Sequence, residues 1–238
     1  MKRISLAFLL FALILIAPIR LMSSHIMGGE ITWVCNANGE YVFKISIYRD
    51  CAGANTAPRG IIWIHNYPEK DDVTIIADQA ELDANNPITR VIAPDCVTNN
   101  GSPIDCNNNA GIAIEEFIKE ADPIKLDGTP PPEGWIITYH EVARNDLENI
   151  FVPVGGQNPG MTLRAKIYDH SFSKADSCID NSPIFEERPT ALLRANSTYV
   201  YNHNASDVEL ASLVYDWAEP LEELNSFFQL NNPHSTPP

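Results

Sequence analysis

The sequence predicts an all-β fold, an Ig-like or related β-sandwich with few short helical turns, and three observations lead to it. Apolar residues recur at every second position in several short runs. The spacers between those runs are built from Pro, Gly, Asn and Asp, as in Asp127-Gly128-Thr129-Pro130-Pro131-Pro132. Five cysteines follow an apolar leader, the pattern of an exported chain that carries disulfides.

The leader comes first. Lys2 and Arg3 form a positive start, every residue from Ile4 to Ala17 except Ser5 is apolar, and Pro18 ends the run. Such a stretch engages a translocon but falls short of the ~20 residues that span a bilayer. Residues 1–24 therefore read as a signal peptide, cut between Ile19 and His25, with no membrane span in the mature chain. The compartment is extracellular: secreted or at the cell surface.

Residues 25–230 read as the β-sandwich module. Tyr41, Phe43, Ile45 and Ile47 alternate with Val42, Lys44, Ser46 and Tyr48, giving one apolar and one mixed face. Asn36-Ala37-Asn38-Gly39 is turn chemistry and joins this run to 31–35 as a hairpin. Further strands are expected at Ile61–Ile64, Val73–Ala77, Ile88–Ile92, Trp135–Tyr139, Met161–Tyr168, Thr198–Tyr201 and Leu213–Trp217. Two stretches, 78–86 and 112–122, carry Glu, Ala and Lys at spacings that suit one or two helical turns. If the module divides into two β subdomains, the division falls near 125–135 or 186–196. Residues 231–238 form a Pro-rich tail or a loop cut short.

The cysteines are Cys35, Cys51, Cys96, Cys106 and Cys178, which leaves one thiol over, and their spacing matches no zinc pattern. In the hairpin, Cys35 lies near the turn and Cys51 at the open end. A strand rises about 3.3 Å per residue while a disulfide needs Cα atoms within about 7 Å, so Cys35–Cys51 is disfavoured. Cys96–Cys106 would close a small loop over 99–103 and is the easiest pairing to accept.

The formal charge is −15, and removal of Lys2, Arg3 and Arg20 with the leader makes it −18. Such a field repels nucleic acid and anionic lipid, and reads first as a solvated face.

Several phrases, in order, resemble a known family. Ser24-His25-Ile26-Met27-Gly28-Gly29-Glu30-Ile31-Thr32 leads into Tyr48-Arg49-Asp50-Cys51. Gly134-Trp135, Arg144-Asn145 with Asn149-Ile150, and Asn181-Ser182-Pro183-Ile184-Phe185 with Pro189 follow. Asn204-Ala205-Ser206-Asp207 before Ser212-Leu213-Val214-Tyr215 completes the series. Together they resemble the N-terminal module of large secreted or surface proteins of Bacteroidetes. Those proteins often continue into PKD-like or other Ig-like repeats and a gliding-motility-associated C-terminal domain. The resemblance implies a structural or adhesive role, a surface protein or glycan as ligand, and further domains of a longer parent protein. This sequence departs from the family at Val142 and Ala143, where a Cys-Cys pair is usual, and lacks cysteines near Arg194 and Ala218.

Candidate sites are sparse. His140-Glu141 opens like a zinc-protease helix, but Arg144 stands where the second ligand belongs. Asp105, Asn107, Asn109 and Glu116 fall at positions one, three, five and twelve of a calcium loop, with Ala110 in place of the required Gly. The resemblance marks Asp207 and Glu209 as a second calcium candidate. Were the leader cut after Ser24, His25 could chelate copper through its amine and imidazole with His65, His140, His170 or His203. Trp33, Trp63, Trp135 and Trp217 could stack on sugar rings, although Trp at such spacings more often fills a core. The reading is a non-catalytic extracellular structural or adhesion module without a cofactor. Its alternative is a secreted carbohydrate-active or copper-binding β-sandwich enzyme using His25.

Overall fold

In the computed structural model the described residues are 26–53, 56–67, 73–79, 81–83, 86–87, 89–92, 106, 113–141, 144, 160–169, 180–189, 196–218 and 221. The period-two runs become strands: β1 (Ile26–Cys35), β2 (Tyr41–Asp50), β3 (Arg59–His65), β4 (Val73–Gln79), β5 (Glu81–Asp83), β6 (Asn86–Pro87) and β7 (Thr89–Ile92). They continue with β8 (Ile114–Ala121), β9 (Trp135–Glu141), β10 (Met161–Ile167), β11 (Ile184–Phe185) and β12 (Ala205–Ser206). The fold is all-β, and no helix occurs among the described residues.

One antiparallel sheet runs in the order β1-β2-β8-β4-β3-β9-β10, with β7 pairing β8 beside β4. The sheet curls until its two outer strands approach. A Cβ added at Gly29 of β1 would lie 2.9 Å from Leu163 Cδ1 of β10. The result is a nearly closed, barrel-like sandwich. The β1–β2 hairpin forms as expected, with Cys35 opposite Tyr41 and Gly39 taking the left-handed turn position at φ 79°. Tyr41, Phe43, Ile45 and Ile47 all point into the core. Trp33 of the neighbouring β1 and Ile62, Ile64, Trp135, Ile137, Tyr139 and Ile167 of β3, β9 and β10 join them.

Three expectations are corrected. Residues 112–122 make no helical turn: Ile114–Ala121 is a strand held along one edge by β2 and along the other by β4 and β7. The described part of 78–86 is likewise strand. Pairing on both edges outweighs the modest helical propensity of Glu, Ala and Lys. Thr198–Tyr201 and Leu213–Trp217 keep the alternation but are not strands. Cys106 bonds Cys51, not Cys96. The cause is the β2–β8 register: Asp50 faces Ile114 and Cys51 N donates to Ala113 O, so the chain entering β8 comes alongside Cys51. Cys35 is disulfide-bonded as well. Residues 1–25, Cys96 and Cys178, and residues 231–238 lie outside the described residues.

One end of the interior is polar. On β8, Lys119 has no solvent exposure, and it reaches across the interior to β9, with Nζ donating to Tyr139 Oη at 2.5 Å and Glu141 Oε2 at 3.1 Å. Tyr139 in turn donates to Glu141. Burial, and after it the Glu141 carboxylate, pushes the Tyr139 phenol well above its ordinary range. Arg49 of β2 pairs with Glu115 of β8 at 2.5 Å and lies over the Phe117 ring. Gly60 is required beside this group, since a Cβ there would sit 2.4 Å from Tyr139 Cε2. These charges neutralise one another inside the sheet, which makes removal of one partner costly.

Candidate interaction surface

After β10 the chain returns at Asp180 and forms an arm over the outside of the barrel. Its first residues extend the free edge of β1. Trp33 N donates to Ser182 Oγ at 2.9 Å, Ser182 N donates to Trp33 O at 3.0 Å, and Cys35 N donates to Asn181 Oδ1 at 2.6 Å. Trp33 Nε1 donates to Asp180 O at 3.1 Å, so a core indole also holds the arm. Farther along, Arg188 forms an ion pair with Glu116, a buried carboxylate on the outer face of β8. Beside it Tyr48 donates to Glu30 at 3.0 Å, and burial holds the Glu30 carboxyl above the usual carboxylate range.

The arm is folded on itself by the short β11–β12 ladder, which sets Ile184 opposite Ser206 and Phe185 opposite Ala205. Asn196, Asn204 and Leu210 take left-handed backbone angles. On this frame sits a row of rings. Tyr199 and Tyr201 are stacked at 6.1 Å, and Tyr201 meets His203 edge-on at 4.8 Å. Phe185 lies 4.9 Å from His203, and Tyr215 stacks on His203 at 6.1 Å. None of the five belongs to the core cluster. Phe185 and Tyr199 are each 48% exposed and Tyr215 53%, while Trp217 is 96% exposed. Tyr201 Oη donates toward the Glu187 and Arg188 carbonyls, 2.9 Å from each, and Tyr215 Oη accepts from Ala205 N at 2.8 Å. The hydroxyl ends of Tyr201 and Tyr215 are thus anchored to backbone, while Phe185, Tyr199, His203 and Tyr215 are exposed and Tyr201 is half-buried.

The four indoles divide. Trp33 and Trp135 are core residues, Trp63 is half-buried, and Trp217 is on the surface. Asp207 and Glu209 come together with Asp180, their carboxylate oxygens within 4.8 Å of one another. Hard cations such as calcium take such oxygen donors, although exposed carboxylates also cluster without one. Asn181 Nδ2 donates to Glu209 in this group. Asp180 belongs to the cluster through the return of the arm to β1, which no local spacing announces. Of the calcium-loop candidates, Glu116 is the buried partner of Arg188; Asp105, Asn107 and Asn109 lie outside the described residues, as do His25 and His170. His65 is buried, its Nε2 2.8 Å from Thr138 Oγ1; His140 Nδ1 is 3.2 Å from Thr162 Oγ1; and His203 is the hub of the ring row. Sequence reading missed that row, although rings at 199, 201 and 203 in an extended stretch fall on one side and signalled it.

No family model, curated protein or solved structure matches the chain.

Proposed function

We propose that this chain is a non-catalytic, exported structural or adhesive module that binds through its arm. The observation that carries the reading is the ring row: aromatic side chains anchored on the outside of a barrel that is itself filled by side chains. Contiguous exposed apolar surface of this kind marks interaction sites in soluble proteins. The charged groups inside the barrel are engaged with one another, Arg49 with Glu115 and Lys119 with Glu141. The apolar leader and the disulfide-bonded cysteines support a location outside the cytoplasm. The ordered phrases around Arg49-Asp50-Cys51 support kinship with Bacteroidetes surface proteins, hence a larger parent with PKD-like repeats and a gliding-motility-associated sorting domain.

The test is retention of purified, leader-processed protein on cell-envelope and extracellular-matrix fractions. Reversible, saturable retention without chemical change to the bound material is expected. Absence of retention on every fraction would remove the adhesive reading, and turnover of bound material would replace it with an enzymatic one.

A further inference from the structure

Resting on that reading, we infer that the ring row on the arm is a carbohydrate-binding platform and that its ligand is a neutral polysaccharide. The rings of Tyr201 and Tyr215 are fixed by hydrogen bonds from or to backbone groups. Their positions are therefore held at little further cost in side-chain freedom, which favours binding through preorganisation, and Tyr199 and Tyr215 carry the open ring surface. A pyranose offers a face of C–H groups, apolar and faintly positive, that matches the electron-rich face of a phenol or indole. Tyr199, Tyr201, His203 and Tyr215 extend this surface as a row, as successive sugars along a chain require. Exposed Glu186, Glu187, Asn202 and Asn204 lie at its margins in sequence and supply acceptors and donors for sugar hydroxyls.

Charge chooses among polymers. The chain carries 31 acidic against 16 basic residues, and its field opposes nucleic acid, uronate polymers and anionic lipid. A protein partner would favour a desolvated apolar centre with a polar rim. Here every ring of the row except Phe185 carries a polar atom, and Trp217 stands clear of its neighbours rather than lining a pocket.

Native electrophoresis through gels cast with hydroxyethyl cellulose, laminarin or galactomannan tests the inference, with alginate as the polyanion. At least one neutral polymer should retard the protein and alginate should not. Tyr199→Ala and Tyr215→Ala should each raise the polymer concentration needed for half-retardation about tenfold or more, a loss typical of stacking residues. Both positions are exposed, so an unchanged thermal midpoint will show that the variants fold. Mobility unaffected by all three neutral polymers, retardation that survives both substitutions, or equal retardation by alginate would each overturn the inference. Failure here with continued envelope retention leaves the module reading standing and removes only the sugar; loss of both removes the two together.

Discussion

The barrel and the arm use the same aromatic residues in opposite ways. In the barrel, Trp33, Tyr41, Phe43, Trp135 and Tyr139 are buried, each on the inward side of a paired strand. On the arm, Phe185, Tyr199, Tyr215 and Trp217 are open to water. The difference arises from hydrogen-bond partners. A strand flanked on both edges is committed to a sheet and its alternate side chains to a core. Among the described residues, the 196–218 stretch alternates similarly in places but joins only the brief β11–β12 ladder, and its rings stay outside. Alternation thus predicts which residues share a side, and pairing decides whether that side is buried.

Substitutions sharpen the contrast. The largest effect is expected at Lys119→Met, which leaves Glu141 and Tyr139 facing each other in the interior without their cation. Stability should fall by about 3–5 kcal/mol in urea unfolding, the usual range for breaking one side of a buried pair. Gly60→Ala forces a methyl into the Tyr139 ring and should cost about 1–3 kcal/mol by the same assay.

Glu30, at the junction of the two regions, gives a pH signature. Its carboxyl is raised chiefly by burial, against the bond from Tyr48 and the attraction of Lys44 and Arg188. A carboxyl raised on folding holds its proton more tightly in the folded state, so its contribution favours folding at acid pH and declines as pH rises through the carboxylate range. Glu30→Gln should therefore raise the unfolding midpoint at neutral pH, with the gain vanishing below about pH 4. Tyr48 and Tyr139 are also raised, each mainly by burial. Stability should accordingly hold at neutral pH and fall once pH passes the ordinary phenol value of about 10. The smallest effect belongs to the arm: Trp217→Ala should change stability by no more than about 0.5 kcal/mol.

Much of the barrel was legible in the sequence because its inward positions are mostly apolar. Where they are not, the reading failed. Glu115 and Lys119 face inward on β8, and charge at inward positions disguises the period of two as a helical mixture. The Cys51–Cys106 bond was hidden for another reason: it depends on the register between β2 and β8, whereas loop-closure arguments favour neighbours in sequence. The arm was legible only in part. Its rings were visible as a pattern, but whether a strand flanks them is a property of the whole topology.

The most direct test is hydroxyl-radical footprinting of the free protein and of the protein with a retarding neutral polysaccharide. Trp217, Tyr199 and Tyr215 should label strongly when free, Tyr199 and Tyr215 should lose label when the polymer is bound, and Trp33, Trp135 and Tyr41 should stay unlabelled throughout. Weak labelling of Trp217 in the free protein, or arm labels indifferent to the polymer, would contradict the division between a barrel that holds the fold and an arm that binds.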